Sequence, residues 1–245
     1  MIRGIQKTTL IDFPGKIACT VFLGGCNMRC GYCYNSALVL NHNSMPAIGK
    51  SEFLEFLEKR KKFLDGVCIT GGEPTMHKDL PELCSAIKKL GFDVKLDTNG
   101  TNPAALERLI ADKLVDYIAM DVKSSLESYA RVCGVAMDME NIKRSIEIIK
   151  KSGIEYEFRT TLVPDVINVA EMKKIGLLIA GARRYFLQQF RPAESTIDKK
   201  YNQMEPLDSV QITELCRAIE PYVNTVGVRN FDMDGNLADA AASNN

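Results

Sequence analysis

Gly66-Val67-Cys68-Ile69-Thr70 runs straight into Gly71-Gly72-Glu73-Pro74, and an amphipathic stretch at residues 80–90 follows. The first five residues do not alternate polar and apolar, as expected of a strand covered on both faces. The two glycines free the backbone for a tight turn, and Pro74 stiffens it. Strand, polar turn and helix in that order make one β/α unit of a parallel sheet.

The same unit recurs in both directions from this point. Strands are predicted at residues 17–23, 66–70, 92–97, 116–122, 154–162, 184–190 and 225–229. Helical periodicity falls at 50–63, 80–90, 103–111, 139–151, 170–180 and 209–222. Asn102 is placed to cap the helix that starts at Pro103, and Gly91 and Gly153 stand where helices should end. About six right-handed β/α units and a further strand predict an α/β fold of the partial (β/α) TIM-like barrel kind. One domain over residues 1–230 is expected, with a frayed tail at 231–245 rich in Ala, Asn and Asp. In such folds ligands meet the C-terminal ends of the strands.

The 245 residues are 46% hydrophobic, enough for one real core. Lys+Arg and Asp+Glu are 31 each, so no global charge draws the chain to nucleic acid or to an anionic membrane. The polar start Gln6-Lys7 fits no signal peptide, and the most apolar stretch, 175–182, is too short to span a bilayer. A cytoplasmic protein is expected. Eight cysteines in that setting argue against a disulfide framework. Cys19, Cys68, Cys84 and Cys216 lie in apolar patterns and read as small buried hydrophobes.

The remaining pattern is Gly24-Gly25-Cys26-Asn27-Met28-Arg29-Cys30-Gly31-Tyr32-Cys33-Tyr34-Asn35, directly after the first predicted strand. Its C-x3-C-x2-C spacing lets one loop wrap three thiolates around a cubane, and Cys ligation suits iron–sulfur clusters. A structural zinc site would want a fourth ligand, which could come only from a distant residue. A zinc site of that kind, or three reduced structural thiols, are the alternatives. Three ligands on a four-iron cluster would leave one iron open.

C-x3-C-x-aromatic-C after the first strand resembles the signature of the radical S-adenosylmethionine (SAM) superfamily. Residues 6–16 (QKTTLIDFPGK), 21–30 (VFLGGCNMRC), 65–75 (DGVCITGGEPT), 95–101 (KLDTNGT) and 115–123 (VDYIAMDVK) resemble the activating proteins of anaerobic ribonucleoside-triphosphate reductase, relatives of pyruvate formate-lyase activating enzyme. The likeness spans roughly residues 1–230 and implies a radical SAM fold. It implies a 4Fe–4S cluster on Cys26, Cys30 and Cys33, reductive cleavage of SAM, and hydrogen abstraction from a glycine of a large glycyl radical enzyme. Flavodoxin or ferredoxin is the implied electron donor. One departure is Tyr34, where many relatives have His.

The resemblance also assigns the SAM pocket. Gly71, Gly72 and Glu73 would hold the amino group of the methionine moiety, and Asp97, Thr98 and Asn99 would meet the same end of SAM. Asp97 and Asp121 would share a monovalent cation, Lys123 would bind SAM, and Tyr32 would meet the adenine. Asp121 and Lys123 are two apart and so can share a face. Arg159, in an apolar strand, needs a carboxylate partner, either Glu157 or that of SAM. Gln189, at a strand end, is a candidate contact to the ribose. No acid–base residue is demanded, so His42 and His77 read as surface positions, and Arg131-Val132-Cys133-Gly134 reads as a chance likeness to a glycyl radical motif. The competing readings are a radical SAM enzyme acting on a small molecule or on another glycyl radical enzyme such as pyruvate formate-lyase, a non-enzymatic iron–sulfur electron carrier, and a zinc-stapled binding module.

Overall fold

A computed structural model describes residues 1–230, so the expected tail at 231–245 lies outside the described residues. The chain forms two compact units. The first comprises residues 1–29, 35–120 and 138–156; the second comprises 30–34, 121–137 and 157 onwards.

In the first unit β1 (Ile2–Thr9) pairs antiparallel with β2 (Ala18–Leu23). Then β3 (Gly66–Gly71), β4 (Asp93–Thr98) and β5 (Tyr117–Asp121) add in sequence order, each parallel to its predecessor. Cys19, Val21 and Leu23 on β2, Val67 and Ile69 on β3, Val94 and Leu96 on β4, and Ile118 and Met120 on β5 are wholly buried. That burial is what the unbroken apolar runs predicted. β1 was not predicted: its middle is polar and partly exposed because it has a strand on one side only. Ile17 lies before β2 rather than in it, and is 44% exposed.

The helices α1 (Ser36–Leu40) and α2 (Lys50–Arg60) lie between β2 and β3, and the later helices follow their apolar spacing. In α3 (Leu80–Lys89) the residues Leu80, Leu83, Cys84 and Ile87 form the buried face, worth about 1.5–3 kcal/mol for each large side chain. Lys88 and Lys89 complement its C-terminus, and Gly91 follows at φ +89°. In α4 (Pro103–Ala111) the Asn102 side chain accepts from the Ala105 N–H, the predicted cap. In α6 (Met139–Lys151) Ser145 interrupts the buried Ile142, Ile146 and Ile149 face, and its hydroxyl donates to the Gly100 carbonyl at 2.7 Å.

In the second unit β6 (Glu155–Leu162, its first two residues belonging to the first unit), β7 (Tyr185–Gln189) and β8 (Val226–Arg229) run parallel in order. They are accompanied by α5 (Tyr129–Cys133), α7 (Val169–Leu178) and α8 (Ser209–Ile219). The fold class is therefore α/β with mostly parallel strands, as the sequence predicted. No described helix is long and apolar enough to cross a membrane.

Candidate active site

In the first unit, Gly71 and Gly72 are fixed by backbone rather than by open space. Gly71 has φ +123°, and a Cβ on it would lie 2.3 Å from the Leu23 carbonyl oxygen. A Cβ on Gly72 would lie 1.8 Å from the Gly25 carbonyl oxygen. The chain passes this closely because Gly72 N–H donates to Leu23 O, and Glu73 N–H to Gly25 O, each at 2.8 Å. The turn after β3 is thus stitched to the residues that lead into Cys26.

Glu73 is 1% exposed, and its carboxylate is filled by neighbours. Oε1 accepts from Thr75 N (3.0 Å), Thr75 Oγ1 (2.5 Å) and Thr98 Oγ1 (2.8 Å), while Oε2 accepts from Asn99 N (2.6 Å). Burial raises its pKa against those donors. Glu73 therefore ties the turn after β3 to the end of β4. Asn99 carries the connection onward: its Nδ2 donates to Asn27 Oδ1 at 2.9 Å and lies 4.0 Å from Cys26 Sγ. Of the predicted residues, Cys26, Gly71, Gly72, Glu73, Thr98 and Asn99 form one connected network. Asp97 points elsewhere, to Lys95.

Both histidines also touch this region, which corrects their reading as surface positions. His77 Nε2 is 2.9 Å from Gly24 O, and burial lowers its pKa. The ring of His42 covers Gly24 and Gly25, so that a Cβ on Gly24 would lie 2.7 Å from the His42 Cβ. Neither contact was readable from spacing, because 18 and 53 residues of chain separate the partners.

In the second unit, Cys30 to Cys33 make a tight turn, with Cys33 N–H donating to Cys30 O at 3.0 Å. A later segment zips along it: Asp198 N–H donates to Gly31 O (2.9 Å), Ile197 N–H to Cys33 O (3.2 Å) and Ser195 Oγ to Tyr34 O (2.8 Å). A Cβ on Gly31 would lie 2.8 Å from the Tyr201 ring, and Tyr32 meets the same ring edge-on at 6.1 Å. Tyr32 is 7% exposed, and burial pushes its phenol pKa well up. Cys133 hydrogen-bonds Cys30 and, with help from the Lys123 charge, lowers the Cys30 thiol to about 7 against the opposing effect of burial. Sequence reading missed that role. The motif around Cys133 forms α5, whose left-handed end is Gly134 at φ +68°.

Asp121 receives Arg159 Nε at 2.8 Å and Lys123 Nζ at 2.9 Å. Burial pushes the Asp121 pKa up, but the two cations outweigh it and hold it well below the usual carboxylate range. Burial likewise opposes the Lys123 charge, and Asp121 outweighs it, raising the pKa. Asp121 is thus the partner Arg159 required. Glu157 lies 4.0 Å away and is held bidentately by Arg229 at 2.5 and 2.7 Å, a residue that sequence reading did not single out. Among the described residues Arg159, Lys123 and Arg229 thus gather about Asp121 and Glu157. Gln189 Nε2 donates to Leu207 O at 2.6 Å, and its buried Oε1 has no hydrogen-bond partner among the described residues.

Three cysteines at C-x3-C-x2-C after a strand of a mostly parallel α/β fold, none in a disulfide, are the donor set of an iron–sulfur enzyme. The Radical SAM superfamily model matches residues 20–176, and the chain belongs to that superfamily. Membership implies a 4Fe–4S cluster and SAM as cofactors, which the donor chemistry of the three cysteines fits. The chain is 34% identical over 238 residues to a candidate glycyl-radical enzyme activating enzyme of Methanocaldococcus jannaschii, covering 95% of this chain and 97% of that protein. It is 25% identical over 212 residues to the pyruvate formate-lyase-activating enzyme of Clostridium pasteurianum, covering 83% and 86%. Among solved structures it resembles Streptococcus suis SuiB bound to S-adenosylmethionine, with a TM-score of 0.64 and 14% identity, over 85% of this chain and 51% of that one. That likeness bears on the fold alone, and the chain spans about half the length of SuiB.

Proposed function

We propose that this radical SAM enzyme is an activase that generates a glycyl radical on a large partner enzyme, and that this partner is an anaerobic ribonucleoside-triphosphate reductase. The observation that carries the proposal is the near end-to-end 34% identity with the M. jannaschii activating-enzyme relative. The particular partner rests on the resemblance of residues 6–16 and 21–30 to reductase activating proteins. When bound, the cluster and SAM supply a one-electron cleavage that yields a hydrogen-abstracting radical.

The chain's own residues have separable tasks in this reading. Cys26, Cys30 and Cys33 hold the cluster. Gly71 and Gly72 let the turn close onto Gly25, and Glu73 fixes Thr98 and Asn99 at the SAM end of β4. The guanidinium of Arg159 and the ammonium of Lys123, gathered at Asp121, are donors of the kind that suits the carboxylate of SAM. The buried Oε1 of Gln189 suits a ribose hydroxyl, which would satisfy it. Tyr32, between Cys30 and Cys33 in the loop, is the residue proposed to meet the adenine. Flavodoxin or ferredoxin is the proposed reductant.

The test is anaerobic reconstitution with iron and sulfide, then reduction with SAM and the candidate reductase. A glycyl doublet by EPR on the reductase, lost in Cys33→Ala, is expected. SAM cleavage without a doublet on any glycyl partner would move the target to a small molecule. Native-rate cleavage by Cys33→Ala would refute the cluster assignment.

A further inference from the structure

The family resemblance puts a monovalent cation beside Asp97 and Asp121, and the residues present do not fit one. Lys95 stands two residues before Asp97 on β4, on the same face, and its ammonium pairs with the Asp97 carboxylate. The Lys95 side chain is 1% exposed and that of Asp97 16%. In register on either side stand Cys68 of β3 and Tyr117 of β5. The ammonium lies 3.6 Å from Cys68 Sγ and 6.0 Å from the centre of the Tyr117 ring. A thiol and an aromatic ring cannot neutralise it, so Asp97 provides the opposite charge a buried ammonium requires. An alkali ion on the same carboxylate would set a second positive charge against a buried first one. Asp121, taken separately, already has Arg159 and Lys123 on its two oxygens. Neither carboxylate retains the uncompensated charge that would recruit an ion.

We propose that the Lys95 ammonium is a built-in substitute for that cation: it fixes the Asp97 carboxylate at the end of β4, and SAM binding needs no alkali ion. Lys95 is a positioning residue, acting through Asp97 on the Thr98-Asn99 end of the strand. The proposal rests on the reading of this region as the SAM site.

Equilibrium dialysis of labelled SAM against the reconstituted holoprotein tests it, at equal ionic strength in potassium, sodium and choline chloride. The unsubstituted protein is expected to bind SAM with the same Kd, within about twofold, in all three salts. Lys95→Met is expected to bind at least tenfold more weakly in choline than in potassium, because the missing charge must then come from solution. Lys95→Arg, which keeps the charge, should stay insensitive to the salt and guards against a Met variant that does not fold. A tenfold loss of affinity of the unsubstituted protein in choline overturns the proposal alone. So does a Lys95→Met protein that binds in choline as tightly as the parent. Failure of the unsubstituted protein to bind SAM in any salt overturns the site reading, and this proposal with it.

Discussion

Replacing Glu73 by glutamine should cost far more than the loss of one charge on a surface. The native carboxylate accepts from two backbone N–H groups, those of Thr75 and Asn99, and from two threonine hydroxyls. Hydroxyls can rotate and accept instead, but backbone N–H groups cannot. A glutamine amide offers one acceptor oxygen, so whichever way it is turned, its NH2 faces the N–H of Thr75 or of Asn99. One buried donor is orphaned, at about 1–3 kcal/mol. Glu73→Ala orphans both and leaves a cavity, for a total of about 3–5 kcal/mol. For a chain of this size each kcal/mol is worth roughly 2–4 °C in Tm, so glutamine should lower the midpoint by about 2–12 °C and alanine by about 6–20 °C. Anaerobic thermal and urea unfolding of the cluster-free protein measure this directly. The same variants should weaken SAM binding in proportion, since Asn99 is the group released. If Glu73→Gln unfolds within half a degree of the parent, or if the alanine variant is no worse than the glutamine one, the carboxylate is not the four-donor hub described and the reasoning fails.

Gly72→Ala should yield no stable protein able to take up iron and sulfide, because its Cβ would sit 1.8 Å from the Gly25 carbonyl oxygen; normal iron content would refute this. Asp121→Asn should lower stability near neutral pH by about 3 kcal/mol, by stranding Lys123 and Arg159. Because the folded pKa of Asp121 is depressed, its stabilisation is complete above the unfolded value of about 4 and is lost as pH falls below it, so the variant's acid-unfolding profile should be flatter there; a parallel profile in urea titrations at pH 2–5 would count against the pairing. His77 has a folded pKa below its unfolded value, so its contribution is complete above pH 6.5 and fades as pH falls through the folded value; His77→Gln should lose about 1 kcal/mol at pH 7.5 and show less pH dependence between pH 5 and 7.

The β/α order and the chemistry-bearing loop were legible in the order of residues alone. Both are local signals: an unbroken apolar run such as Val67-Cys68-Ile69 specifies a doubly covered strand, and C-x3-C-x2-C fits on one loop whatever lies around it. Which groups complete those signals depends on how the chain packs. Strand register brings Lys95 beside Cys68 and Tyr117, and packing sets Cys133 against Cys30 and Tyr201 against Gly31. It also sets Arg159 on Asp121 at 2.8 Å, with Glu157, its near neighbour in sequence, farther off at 4.0 Å. Pairings of this kind join residues tens of positions apart, and no spacing rule encodes them. They follow from the cost of leaving a buried charge or donor unmatched, which is met only once the chain has folded.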